Sequence, residues 1–190
     1  MALGNADLQS DRNRSPGSLL LDDPEACHAY AWLFKHGPAS VESYVSAVDI
    51  DAMVGRLAVD RLHAHGLLVE RGERYETVAV NEVVEGVRIT PGVAAVLAKQ
   101  LENYAVRKLV RRHGALSLAA AVGCWESLSN GTLRSRDVGE RVGIGEHDGV
   151  TASNALRAVA DYLELDPHLA EIPIPRHPNP DLHQPNTVEP

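Results

Sequence analysis

The stretch that most constrains this chain runs from Asp49 to Val80, where a helical pattern stops at a glycine and two short strands follow around a tight turn. Val54, Leu57, Ala58 and Leu62 recur at helical spacing and are expected to face one core. Gly66 stands where a helix C-terminus favours a residue tolerant of positive φ. Leu67–Glu70 and Tyr75–Val80 read as the strands of a hairpin, with Arg71–Gly72–Glu73–Arg74 as its tip. A helix, a glycine, a leucine-rich strand, a charged tip and a strand in this order leave the other elements to pack around them.

Those other elements have to be mostly helices. Of the 190 residues 44% are hydrophobic but only 4% aromatic, and Phe34 is the single phenylalanine. A core of Ala, Val and Leu suits helices better than a large sheet. The formal charge of −8 disfavours general adhesion to nucleic acid. Lys35, Lys99 and Lys108 are the only lysines, so arginine carries most of the positive charge. Such an acidic, Lys-poor composition fits a salt-filled cytoplasm, with a GC-rich genome as the other reading. Cys27 and Cys124 lie far apart and match no disulfide or zinc spacing. The polar run Met1–Gly17 lacks the apolar segment of a signal peptide, and no stretch approaches the roughly 18 apolar residues of a spanning helix. A cytoplasmic chain with no membrane partner is expected.

Taken in order, residues 1–18 are expected as a disordered arm, its Arg12 and Arg14 solvated, with phosphate contact the alternative. Residues 19–89 form a first domain. Asp23–Pro24 opens a helix to about His36, Ser40 caps a short second helix, and Asp49–Ile50–Asp51 turns into a third. Gly86–Ile89 is expected to add a strand. Residues 90–165 form a helical second domain. Thr90–Pro91 starts one long helix to His113, closed by Gly114, and its basic end Arg107, Lys108, Arg111 and Arg112 suits the helix macrodipole. Ala115–Ser129, small-faced through Ala119, Ala120 and Gly123, is expected as the central packing helix. Ser135 is expected to cap Arg136–Val142. A turn over Gly143–Asp148 and a last helix over Gly149–Leu163 complete a second helix-turn-helix pattern. Residues 166–190 hold seven of the chain's 11 prolines and are expected as a Pro-rich disordered tail.

Gly66–Leu67–Leu68–Val69, Ile89–Thr90–Pro91 and the run Arg111–Val122, in that order, carry a family resemblance over about Pro24–Leu163. The chain resembles a group of uncharacterised haloarchaeal winged-helix proteins, similar broadly to MarR-like and ArsR-like transcription regulators. The resemblance implies a mostly α fold with a small β-wing: a winged helix-turn-helix followed by a helical bundle containing a second helix-turn-helix-like unit. It carries over no catalytic or ligand residue.

The residues themselves offer no nucleophile elbow, phosphate loop, dinucleotide fingerprint or zinc-hydrolase motif, so neither an enzyme nor a cofactor is expected. His63 and His65, two apart on a helix, point roughly 200° apart and cannot easily share an ion. A metal sensor with Cys27 approaching them is the weaker reading. DNA binding is the stronger chemistry. With the apolar stripe inward, Arg56, Asp60 and His63 point outward, while Arg61 falls inside the stripe. Arg56 can read guanine and the wing-tip Arg71 and Arg74 can contact phosphate. In the second unit Asn154, Arg157 and Asp161 face out, flanked by Thr151 and Ser153. Asn and Arg pair adenine and guanine edges, but the favoured reading of this face is a capped surface helix, since Ser and Thr also suit a helix's first turn. Asp49 and Asp51 at the helix start and Glu70, Glu73 and Glu76 in the wing act against phosphate. The leading expectation is a sequence-specific regulator of double-stranded DNA, a homodimer through helix 91–113 with Val93, Val96, Leu97, Leu101 and Tyr104 as its stripe. The alternative is a winged-helix protein-interaction adaptor that binds no DNA.

Overall fold

The computed structural model describes residues 14–175, so the expected arm over 1–13 and tail over 176–190 lie outside the described residues. Within them the chain is mostly helical, with two small antiparallel hairpins. A first helix, α1 (Pro16–Asp22), occupies what was expected to be the end of the arm. Ser15 caps it, Pro16 opens it, and Leu19 and Leu20 are buried. The apolar pair is the reason: a segment that can bury two leucines does not stay an arm.

The next helices begin where their caps place them. In α2 (Pro24–His36) the Asp23 carboxylate accepts from Ala26 N at 3.0 Å, and in α3 (Val41–Val48) Ser40 Oγ accepts from Ser43 N at 3.2 Å. Asp51 caps α4 (Ala52–Ala64) through Met53 N and Val54 N. That helix ends as Gly66 requires, at φ +72°. Leu67 N donates to Leu62 O and Gly66 N to His63 O, and both leucines are buried. Strands β1 (Leu68–Arg71) and β2 (Arg74–Thr77) then pair in the register Leu68↔Thr77 to Arg71↔Arg74 around Gly72–Glu73. On the other edge of β2, Ala39 exchanges both backbone hydrogen bonds with Tyr75.

The expected third strand is real but does not join that sheet. β3 (Glu82–Val84) and β4 (Val87–Ile89) form a separate hairpin whose two turn residues, Glu85 and Gly86, both take positive φ. The helix expected over 91–113 is two helices, α5 (Pro91–Glu102) and α6 (Tyr104–His113). Asn103 breaks it. Its backbone is extended and its side chain caps Ala105 N and Val106 N, which is what Asn does at an N-terminus.

α5 is the centre of the molecule. Val93, Ala94, Val96 and Leu97 are all fully buried, chiefly against α2, with α1, α7 and α11 also packed on it. A helix apolar on every side belongs inside. The stripe expected to form a homodimer is therefore mostly internal core: Val93, Val96 and Leu97 meet their own chain, and Tyr104 alone of the five stands well exposed. The small-faced segment is not the central helix. It divides into α7 (Ala115–Ala121), a 3-10 turn over Val122–Cys124 and α8 (Trp125–Ser129).

The second helix pair is α9 (Asp137–Val142) and α10 (Glu146–Arg157), followed by α11 (Ala160–Leu165). Gly143 closes α9 at φ +74°. Ser135 caps nothing; its hydroxyl accepts from Arg157 and its carbonyl from Ser153. The last helix is interrupted at Val159: Ala158 N still donates to Asn154 O, but Val159 leaves the helical backbone at φ −124° and its N–H turns to Leu156 O. The first of the residues expected in the tail are instead packed. Asp166 is buried, accepting from Thr90 Oγ1 at 2.5 Å and Gly92 N at 2.9 Å, and Ile172 is buried too. No helix of the described residues is long and apolar enough to cross a membrane.

Candidate nucleic-acid interface

The sequence offers two candidate reading helices, α4 and α10. Which side chains each turns outward decides between them.

In α4 the inward stripe is Gly55, Ala58, Val59 and Leu62, one residue away from the expected phase. Gly55 sets this phase. A Cβ there would lie 2.4 Å from Val45 Cγ2, so α3 and α4 cross closely only because position 55 has no side chain. Val54 and Leu57, expected in the core, are consequently exposed. Arg61 leaves the stripe and reaches the Asp23 carboxylate. Opposite the buried stripe stand Met53, Leu57, Asp60 and Ala64, with Met53 73% exposed. Thioether, methyls and one carboxylate offer no donor to a base edge, and the carboxylate repels phosphate.

Of the expected contacts of this unit, Arg56, His63 and Arg71 are engaged within the described residues and Arg74 is not. Arg56 lies to one side and pairs with Glu42 at 3.2 Å. His63 is exposed but sets its ring edge-on to Tyr75, with centroids 5.9 Å apart. Arg71 Nε is 2.5 Å from Glu76 Oε2 across the hairpin. Arg74 is exposed beside the tip. Between α3, α4 and the hairpin runs a groove of about 370 Å³ lined by Val41, Glu42, Arg56, Asp60, Glu70, Glu73 and Tyr75. Four carboxylates face one guanidinium there.

In α10 the inward residues are Gly149, Ala152, Ser153, Ala155 and Leu156. Ser153, expected on the outer face, is fully buried and donates to Ser135 O and Gly149 O. The outward stripe is His147, Val150, Asn154 and Arg157, all exposed. Arg157 Nη1 donates to Ser135 Oγ at 2.9 Å, which holds it against the turn before α9, and Thr151 flanks the stripe with its hydroxyl on His147 O. An imidazole, a branched apolar group and an amide at i, i+3 and i+7 are groups that address base edges. Asn154 and Arg157 are exposed, as expected from the sequence. His147 and Val150 share their face and were not among the expected residues, although their spacing from Asn154 was readable.

Close contact fixes this helix in place. A Cβ on Gly149 would lie 2.3 Å from Gly139 N and 2.7 Å from Gly139 Cα, so α9 and α10 meet backbone to backbone. Asp148, buried in the first turn of α10, lies 2.7 Å from Arg112 Nη1 and 2.8 Å from His113 Nε2. Burial alone would raise its pKa, but hydrogen bonds from His113 and Arg112 hold the carboxyl below the usual range. The C-terminal turn of α6 is thereby pinned to the N-terminal turn of α10.

α6 brings charge with it. Val106 and Leu109 face inward, and Tyr104, Lys108 and Arg111 face water, the two cations without a carboxylate partner among the described residues. Arg107 is occupied, donating to Gln100 O and Leu101 O. The charge of the chain is thus segregated. Residues 37–89 carry five arginines against nine acidic residues, and residues 104–157 carry eight Lys and Arg against five acidic residues.

Neither cysteine offers chemistry. Cys27 is buried, its thiol donating to Leu20 O at 2.7 Å, and burial pushes its pKa well up. Cys124 is also buried, its thiol pushed up to about 11. No three His, Cys, Asp or Glu side chains converge as metal ligands among the described residues. No family model, curated protein or solved structure matches the chain.

Proposed function

We propose that this chain is a sequence-specific regulator of double-stranded DNA whose reading helix is α10, not α4. One observation carries this reading: α10 turns His147, Val150 and Asn154 outward, whereas α4 turns out Met53, Leu57 and Asp60. In a helix-turn-helix the N-terminal residues of the second helix meet base edges. On this reading His147 and Val150 enter the major groove first, Asn154 bonds an adenine edge, and Val150 covers a thymine methyl. Lys108 and Arg111, on the helix pinned beside that end, neutralise flanking phosphates. The order α2, Ala39, α3, α4, β1, β2 is that of a winged helix-turn-helix, and we assign that unit a role other than base reading. Its outward carboxylates favour the assignment.

Retention of pooled random duplex DNA by the full chain tests the proposal. Lys108→Glu with Arg111→Glu should weaken retention of every sequence, and Arg71→Glu with Arg74→Glu should leave it unchanged. The reverse pattern would return the DNA to the wing.

A further inference from the structure

The exposed face of α4 is an apolar surface in an acidic setting, and the reading of α10 leaves it without a task. Met53 is 73%, Leu57 48% and Val54 42% exposed, all on one helix. Ala64 continues the strip. Single exposed apolar residues are ordinary, but a strip along one helix is a docking feature. Along its edge runs the groove lined by Glu42, Asp60, Glu70 and Glu73 together with Tyr75, with Arg56 as the one cation. Arg56 is itself tied to Glu42, which leaves Asp60, Glu70 and Glu73 unneutralised within the groove.

These charges choose among occupants. A second copy docking through the same face would set four carboxylates against four, and DNA would set them against phosphate. Both are repelled. We infer that the α4 face with its hairpin groove binds a basic amphipathic segment of another protein, its apolar side chains on Met53, Val54 and Leu57 and its Lys or Arg side chains over Asp60, Glu70 and Glu73. The chain then joins a DNA-reading end to a protein-docking end, with the buried α5 between them. The apolar contacts supply affinity, and the carboxylates set the sign of charge that is admitted.

The probes are three labelled helical peptides of one length: leucine stripe with lysine flanks, leucine stripe with glutamate flanks, and serine stripe with lysine flanks. Binding to the full chain is followed by fluorescence anisotropy at a salt concentration where circular dichroism shows the fold intact. Only the leucine–lysine peptide should bind. Met53→Glu with Leu57→Glu should weaken it at least about tenfold, as should Glu70→Lys with Glu73→Lys, while both variants keep their helicity. Both should also retain DNA as the wild type does, which separates this inference from the reading of α10. Absence of leucine–lysine binding overturns the inference, and so does binding that ignores these substitutions. A wild-type dimer in sedimentation that Leu57→Glu dissociates would give the face to a second copy instead. Loss of DNA retention in Met53→Glu with Leu57→Glu would give it to DNA.

Discussion

Gly149→Ala separates two opposite expectations for α10. On propensity alone, replacing a mid-helix glycine by alanine stabilises by about 1 kcal/mol. The packing at this position says otherwise. The new methyl would stand 2.3 Å from Gly139 N, 2.7 Å from Gly139 Cα and 3.2 Å from Arg136 O, against an ordinary contact of 3.4–4 Å. All three are backbone atoms, so no rotamer can relieve the overlap, and α9 and α10 must move apart by about 1 Å. The crossing is equally tight from its other side, where a Cβ on Gly139 would meet Gly145 O at 2.6 Å. Overpacking of this kind costs about 1–3 kcal/mol and occasionally more, so the net effect is a destabilisation of up to roughly 2 kcal/mol once propensity is offset. For a chain of this length that lowers Tm by several degrees, about 2–4 °C per kcal/mol. Urea unfolding followed by circular dichroism measures it, and DNA affinity should fall with it because the reading helix is displaced. A more stable Gly149→Ala protein would refute the backbone-to-backbone crossing.

Three further outcomes follow from particular contacts. Leu62→Ala should cost about 2–5 kcal/mol in urea unfolding and Leu57→Ala within about 0.5 kcal/mol, because only Leu62 is buried; equal losses would mean that α4 is rotated. Asp148 has a depressed folded pKa, so its contribution is present above the carboxylate's unfolded pKa and is lost as pH falls through the folded one. Asp148→Asn should therefore show a smaller loss of urea midpoint between neutral and acid pH than the wild type, and an unchanged acid limb would remove this residue from the linkage. Asp166→Ala leaves Thr90 Oγ1 and Gly92 N without their buried acceptor and should cost about 1–3 kcal/mol; a neutral result in thermal melts would return the segment to a dispensable tail.

Side chains with a local job were legible in the sequence. Asp23, Ser40 and Thr90 each cap the helix they were expected to cap, and Gly66 takes the positive φ its position implies. The phase of α4 was not legible because hydropathy gives Gly55 no weight, yet its missing side chain lets α3 approach and turns Leu57 to water. Gly149 hides the second crossing in the same way. A glycine inside a helix costs about 1 kcal/mol, and that cost was the available signal of a close approach. Asn103 read as one polar residue within a long stripe, although it caps α6. The prolines after Asp166 masked the burial of Ile172 and of Asp166, the latter held by Thr90 and Gly92 far away in the chain. Of the site, Asn154 and Arg157 came from residue chemistry, whereas the acidity of the α4 groove needed the hairpin's placement beside it.

The most direct measurement is selection from random duplex DNA by the wild type, Asn154→Ala and Arg56→Ala in parallel, with sequencing of what each retains. If α10 reads the duplex, the wild type enriches a motif. Asn154→Ala should lose preference at one adenine position, by about 1–3 kcal/mol of discrimination, and Arg56→Ala should recover the motif intact. A motif that survives Asn154→Ala and disappears with Arg56→Ala, or no enriched motif for the wild type, would contradict it.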